Sequence, residues 1–220
     1  MLQPSVSDLR SNNQFQLLVE LGHKDLIPFV NEYYWKRKSW VTIFHYLISL
    51  VILIVWFWAG FQQKYSFDEW LSRFGFAVIS FFVLLPIHEL IHGLVYKIAG
   101  AKDIRFGASL RQAYAYAIAH NFVANRLVFA WVAISPFIVI NSILLLGAIL
   151  LPQYAFYLIG ILLLHTAGTS GDFSMLNYLW LNRHQEIFTF DDAIETKTYF
   201  YSYVESRNKP ELFHDLHSPT

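Results

Sequence analysis

The sequence predicts an all-α integral membrane protein with about four transmembrane helices. Hydrophobic residues make up 55% of the 220-residue chain, and charged residues make up only 15% of it. Soluble proteins usually carry charges on about a quarter of their residues. Several apolar runs are also long enough, at ~1.5 Å of rise per residue, to cross the ~30 Å hydrocarbon core of a bilayer as helices.

The candidate spans are four apolar segments: 40–61, 74–98, 127–151 and 154–181. The fourth segment changes character midway, because a small polar run from His165 to Asp172 interrupts its apolar residues. The spans define a membrane domain at 40–182. A cytoplasmic N-terminal segment at 1–39 precedes this domain, and a cytoplasmic C-terminal tail at 183–220 follows it.

Basic residues flank the predicted spans unevenly. Lys36, Arg37 and Lys38 precede the first span, and segment 97–126 carries five Lys or Arg residues against the single acid Asp103. Cytoplasmic loops carry the excess of Lys and Arg, so both regions and both termini are predicted to face the cytoplasm. We therefore expect a multi-pass protein of the cell (cytoplasmic) membrane, in contact with membrane lipid. The net charge is zero and no basic block is present, which argues against a nucleic-acid partner.

The N-terminal segment predicts two short helices. Phe15, Leu18 and Leu21 recur at helical spacing, so they are expected to line one side of the first helix together with Leu17. Residues 25–34 predict the second helix, with Pro28 as an interruption.

Two further stretches have the pattern of strands. Residues 104–111 alternate apolar and polar side chains, which predicts a strand-like cytoplasmic loop. A strand near a site either pairs with an extended substrate or serves as a simple connector, and the pattern fits both. Residues 186–190 and 198–203 predict a short C-terminal hairpin, in which Asp191 and Asp192 are turn residues.

The second span contains the motif His88-Glu89-Leu90-Ile91-His92. On a helix the two histidines are one turn apart on one face, so both imidazoles can reach one metal ion. Glu89 lies beside that face, where its carboxylate can take a proton from water. Ionisable side chains at membrane depth are costly and indicate a functional site. The alternative is a pair of histidines with purely structural hydrogen bonds.

A catalytic zinc ion needs a third protein ligand. The chain has no Cys, which leaves His and the acids. Asp172 is the first candidate because, at ~1.5 Å of rise per residue, it lies at nearly the same depth as His88. His165, on nearly the same helix face as Asp172, is either an alternative ligand or a hydrogen-bond donor to the reacting carbonyl. His120 and Asp103 are further alternatives for the third ligand.

Two other polar residues are candidate contacts to substrate or transition state. His120 precedes the third span and either lines the site or caps the helix. Asn141 lies inside the third span, where a hydrogen bond to a neighbouring helix is expected first and an active-site role second.

This layout resembles the site-2 protease superfamily of intramembrane zinc peptidases, and more closely the small bacterial putative zincin peptidase family. The likeness covers residues 74–181 and rests on four stretches: His88-Glu89-Leu90-Ile91-His92-Gly93, Tyr114-Ala115-Tyr116, Ser135-Pro136-Phe137 and Gly171-Asp172. It implies that His88, His92 and Asp172 bind Zn²⁺ and that Glu89 is the general base. Site-2 proteases usually carry their Asp in an Asn-Pro-x-Asp-Gly-like context, whereas here it follows Ser170-Gly171.

We therefore predict a membrane-embedded zinc metalloprotease that hydrolyses peptide bonds of a polypeptide substrate, itself a membrane protein, within or near the membrane. A non-catalytic relative that binds or regulates partners is one alternative. A metal or proton carrier is another, and it would need ionisable residues across both leaflets. The intramembrane His and acidic residues instead gather toward one side, which favours a site over a path.

Overall fold

Three long apolar helices dominate the computed structural model, which describes residues 4–109 and 114–204. They are α3 (Trp40–Gln63), α4 (Phe67–Ile98) and α5 (Arg126–Leu150), and each is long and apolar enough to cross a membrane. The first three predicted spans are thereby confirmed as helices. Helix α4 begins earlier than its apolar run, because Ser66 and Glu69 form a capping box at its N-terminus.

The outward faces of these helices are apolar. Large hydrophobic side chains on all three helices are more than half exposed, among them Leu47, Val51, Phe82, Leu90 and Ile143. A water-soluble protein rarely exposes so much contiguous apolar surface, whereas a helix in contact with lipid requires it.

The fourth predicted crossing is two short helices instead of one. Helix α6 (Ala155–Gly168) and helix α7 (Ser170–Leu181) are separated at Thr169, whose backbone N–H bonds back to the carbonyls of His165 and Thr166. The apolar run alone did not reveal this break. Helix α6 packs against α3, α4 and α5, and its Phe156 stacks on Trp56 of α3 with ring centroids 5.2 Å apart.

The fold is mostly helical, as predicted, but it is not all-α, because the described residues also contain two β-sheets. The larger one is antiparallel, in the order β1-β6-β5-β4. Its strands are β1 (Phe15–Gly22), β4 (Ala124–Asn125), β5 (Glu186–Asp192) and β6 (Lys197–Tyr203). The predicted C-terminal hairpin is confirmed as β5 and β6, which pair from Glu186↔Tyr203 to Asp192↔Lys197. Asp191 and Asp192 end β5 and do not lie in the turn itself.

The predicted helix at 15–21 is the edge strand β1, which is a second correction. Phe15, Leu17, Val19 and Leu21 also alternate, so this segment fits a strand as well as a helix. Pairing with the distant β6 decides between the two. A short helix, α1 (Val6–Ser11), precedes β1.

The second predicted N-terminal helix is confirmed as α2 (Leu26–Val30), which continues as a π-helical turn at Asn31–Lys36. Pro28 does not interrupt it. Proline is tolerated in the first turn of a helix, where backbone N–H groups lack intrahelical partners.

The second sheet is a hairpin of β2 (Ile104–Ser109) and β3 (Tyr114–Ala119). The predicted strand at 104–111 is confirmed as far as Ser109, and residues 110–113 lie outside the described part of the chain. Both strands contact α4. A methyl group on Gly93 of α4 would lie 2.6 Å from the Phe106 ring of β2, so the ring would have to move if any larger residue replaced this glycine.

Candidate metal centre

Helix α4 places the two histidines of the motif on one buried face. His88 and His92 are only 8% and 7% exposed, and their Nε2 atoms are 3.0 Å apart. Pro86 lies inside α4 without ending it, so the turn that carries His88 and His92 remains helical. The spacing of four residues is the local cause of this convergence.

Helix α7 brings Asp172 to the same point. One carboxylate oxygen lies 3.3 Å from His88 Nε2, and the other lies 3.4 Å from His92 Nε2. Asp172 is in the first turn of α7, where the helix dipole favours a negative charge. The ligand atoms of the three residues all lie within 4.8 Å of one another. The break at Thr169 gives α7 the start that aims Asp172 at α4.

The ligand atoms of these three residues fit a zinc ion. Two imidazole nitrogens and one carboxylate oxygen form the three-ligand set of many catalytic zinc sites, which keep a fourth position for water. Ligands about 2.0–2.1 Å from a tetrahedral zinc lie roughly 3.3–3.4 Å from each other. The Nε2 atoms of His88 and His92 are 3.0 Å apart, and they lie 3.3 and 3.4 Å from different oxygens of the Asp172 carboxylate, so all three separations are close to that value.

The other ring nitrogen of each histidine is held by a hydrogen bond. His92 Nδ1 donates to the backbone carbonyl of Val132 at 2.8 Å, and His88 Nδ1 donates to His165 Nε2 at 3.1 Å. The tautomers follow from this network, since a carbonyl only accepts. Both Nε2 lone pairs therefore point into the space between the two rings and the Asp172 carboxylate. Metal-binding histidines are usually oriented by such a hydrogen bond from their other ring nitrogen.

His165 and Asn141 lie behind His88 and support it. His165 Nδ1 donates to the side-chain oxygen of Asn141 at 2.7 Å, and Asn141 Nδ2 donates to Thr166 Oγ1 at 2.9 Å. A chain of hydrogen bonds thus links α4 to α5 and α6 through His88. The interhelical role expected first for Asn141 is observed, and the geometry gives His165 a supporting place beside the three candidate ligands.

Glu89 lies on the wall of a cavity of about 510 Å³ that also reaches His88, His92 and Asp172. Its carboxylate accepts a hydrogen bond from the backbone N–H of Ala117 in β3. The hairpin of β2 and β3, which packs on α4 at Gly93, therefore places a backbone amide beside the motif. The base candidate, the three ligands and a strand edge share one space.

The remaining candidates lie elsewhere. Asp103 is an exposed residue that pairs with Arg105 at 2.7 Å. His120 is next to the larger sheet, where its Nδ1 accepts from the backbone N–H of Ala193 at 3.0 Å. Neither residue joins the three ligands.

Sequence reasoning missed two features of the cavity: the backbone N–H of Ala117 beside Glu89, and Asp191 in the cavity wall. Their positions depend on how β3 and β5 pack beside α4, and no local pattern reports that packing.

The comparisons with known proteins agree with this geometry. Residues 81–186 match the sequence model of the family described as "Putative zincin peptidase". The match runs from the middle of α4 to the start of β5, slightly less than half of the chain, and it contains all three ligands and Glu89. It supports a zinc metallopeptidase. Searches of curated proteins and of solved structures found no match.

Proposed function

We propose that this chain is a membrane-embedded zinc metallopeptidase, similar to site-2 proteases, that hydrolyses peptide bonds of polypeptide substrates within or near the membrane. The convergence of His88, His92 and Asp172 beside Glu89 carries the proposal. The family match supports the same chemistry. The three long apolar helices support the membrane setting.

His88, His92 and Asp172 would hold the zinc ion. When bound, zinc polarises the scissile carbonyl and lowers the pKa of a water molecule to about 7. Glu89 takes the proton of the water whose oxygen attacks the carbonyl carbon. As the C–N bond breaks, Glu89 returns that proton to the leaving nitrogen.

The edge of β3 that lies away from β2 offers a place for the substrate backbone. Among the described strands, β3 pairs with β2 alone, and its opposite edge presents the Ala117 amide to the cavity. A polypeptide in a helical segment hides its carbonyls in internal hydrogen bonds. The substrate must therefore unwind locally, and an extended substrate can then pair with the strand edge.

The proposed orientation places both termini and the site toward the cytoplasm. The motif lies near the C-terminal end of α4, which leads into the Lys- and Arg-rich segment. A carrier would need ionisable groups along the whole crossing. Here the ionisable side chains of α4, α6 and α7 that contact one another lie together in one place instead.

The test is Glu89→Gln in the full chain purified in detergent, with fluorescein-labelled casein as the probe substrate. The variant should keep one zinc per chain and lose about 10²–10⁴-fold in cleavage rate, because proton transfer contributes that much. Glu69→Gln is the matched control, since it changes an exposed glutamate at the start of the same helix. It should cleave like the wild type.

Three results would overturn the proposal. Cleavage by Glu89→Gln at the wild-type rate would remove the assigned base. A wild-type protein that binds zinc but cleaves neither casein nor a membrane-inserted polypeptide would be a non-catalytic relative. A wild-type protein without zinc would not be a metallopeptidase.

A further inference from the structure

A buried histidine outside the candidate metal centre remains without a role in the chemistry above. His45 of α3 is fully buried, at 0% exposure, between the N-terminal segment and the break that separates α6 from α7. An imidazole at that depth needs hydrogen-bond partners for both nitrogens.

Both nitrogens of His45 have such partners. Its Nε2 donates to the backbone carbonyl of Thr166 at 2.9 Å, and it also lies 3.1 Å from Thr169 Oγ1. A carbonyl only accepts, so Nε2 carries the proton and Nδ1 is the acceptor of a neutral ring. The Tyr34 hydroxyl donates to that Nδ1 at 2.5 Å.

The carbonyl that His45 binds is the one at the break. Helix α6 ends at Gly168, and the Thr166 carbonyl accepts from Thr169 Oγ1 at 2.7 Å as well as from His45. Backbone groups freed by a break at membrane depth must find partners inside the protein. A donor on α3 thus stabilises the break that starts α7.

The same ring also contacts the residue that follows Asp172. The centroids of His45 and Phe173 are 4.0 Å apart, and Phe173 is only 2% exposed. One imidazole therefore holds the backbone six residues before Asp172 and contacts the side chain one residue after it.

We infer that His45, oriented by Tyr34, is the positioning residue that aims the Asp172 carboxylate at His88 and His92. The inference rests on the proposed function in that it takes Asp172 as a metal ligand. His45 touches neither ligand histidine in the hydrogen-bond network, so it acts through the break and through Phe173. Loss of the His45 Nε2 donor should let the start of α7 shift, which would move the Asp172 carboxylate away from His88 and His92.

The test measures metal binding in the full chain, with Zn²⁺ and Co²⁺ as probes. His45→Leu removes the donor, whereas His45→Gln keeps an N–H at nearly the position of Nε2. We expect His45→Leu to weaken zinc binding by about 10–100-fold, as losses of supporting contacts do. Its Co²⁺ absorption spectrum should also change, because the carboxylate no longer coordinates as before. His45→Gln should restore both the affinity and the spectrum.

Phe156→Leu is the packing control, because it removes buried volume from α6 far from the break. It should lower thermal stability and leave the zinc affinity and the Co²⁺ spectrum unchanged. If His45→Leu does not fold, Tyr34→Phe removes only the hydroxyl that orients His45. It should then weaken zinc binding in the same direction by a smaller factor.

The outcomes separate the inference from the proposed function. A wild-type chain without bound metal defeats the proposed function. A wild-type chain that binds zinc, while a folded His45→Leu variant matches it in affinity and spectrum, overturns only the role of His45. Equal losses in His45→Leu and His45→Gln would also overturn it, since the donor would then be irrelevant.

Discussion

Two clusters of histidine and aspartate lie in the part of the chain that the structure describes, and only one of these two suits a metal. The candidate metal centre, called the metal centre below, consists of His88, His92 and Asp172. The second, which we name the sheet cluster, consists of His120, Asp191 and Asp192 at the end of β5. Both clusters are largely buried and both contain the residue types that bind zinc.

In the sheet cluster, the side-chain acceptor atoms already accept hydrogen bonds from protein donors. Asp191 accepts from the Ala119 backbone at 3.3 Å and from Thr198 Oγ1 at 2.7 Å. One oxygen of Asp192 accepts from the backbones of Ile194 and Glu195, at 2.9 and 3.1 Å. His120 accepts from the Ala193 backbone in the same turn.

In the metal centre the acceptor atoms instead face one another. Each ring uses its Nδ1 as the donor to a neighbour, which leaves the Nε2 lone pairs and the carboxylate oxygens pointing at one space. Acceptors brought together in this way repel unless a cation lies between them. The state of the lone pairs, more than the residue types, therefore separates a metal site from a structural cluster.

The largest expected effect comes from removing one acceptor of the metal centre. Asp172→Ala should reduce the zinc content, measured by elemental analysis of the detergent-purified protein, from one per chain to nearly none. Asp191→Asn changes the buried acid of the sheet cluster and should keep the wild-type zinc content. Equal zinc loss in both variants would mean that the two clusters do not differ as described.

A smaller effect is expected from the residue behind His88. His165→Phe removes the acceptor for His88 Nδ1 and should weaken zinc binding by about 10–100-fold in a competition titration with a chromogenic chelator. His120→Phe is the matched change in the sheet cluster and should leave the affinity unchanged. If His165→Phe bound zinc like the wild type, the hydrogen-bond chain through Asn141 would have no supporting role.

The smallest effect is a dependence of stability on pH in the sheet cluster. Burial raises the pKa of Asp191 from its ordinary 3.8 to about 6, although hydrogen bonds from Thr198 and the Ala119 backbone oppose that rise. The folded state then holds the proton more tightly than the unfolded chain. The free energy of unfolding should therefore fall as pH rises from about 4 to about 6, and it should change little above that range.

Hydrogen exchange of the β5 and β6 amides at pH 5 and pH 7 measures this dependence. Protection in the wild type should be lower at pH 7, after correction for the intrinsic exchange rates. Asp191→Asn does not titrate, so the difference should shrink in that variant. A difference of the same size in both proteins would assign the pH dependence to other groups.

Hydropathy and short spacing rules were sufficient for the features that depend on neighbours in the chain. The long helices α3, α4 and α5 follow from uninterrupted apolar runs, and the shared face of His88 and His92 follows from a spacing of four. The hairpin of β5 and β6 is local too. Each of these features is set by interactions within one segment, so a reader of the sequence can find it.

The features that were predicted wrongly, or not predicted at all, depend on residues that are distant in the sequence. The segment at Phe15–Gly22 fits a helix and a strand equally, and its pairing with β6, more than 170 residues along the chain, makes it a strand. The break at Thr169 is held by a further hydrogen bond from His45 of another helix to the Thr166 carbonyl. The amide of Ala117 reaches Glu89 because the hairpin of β2 and β3 packs on α4.

Residue types and their local periods thus predicted the three long apolar helices, and they pointed to two imidazoles, two carboxylates and a metal. Long-range packing selected which acceptors are left without donors, and that selection separates Asp172 from Asp191. The physical reason is that a lone pair accepts a hydrogen bond from whichever donor lies nearest in space. Residue spacing along the chain does not determine which donor that is.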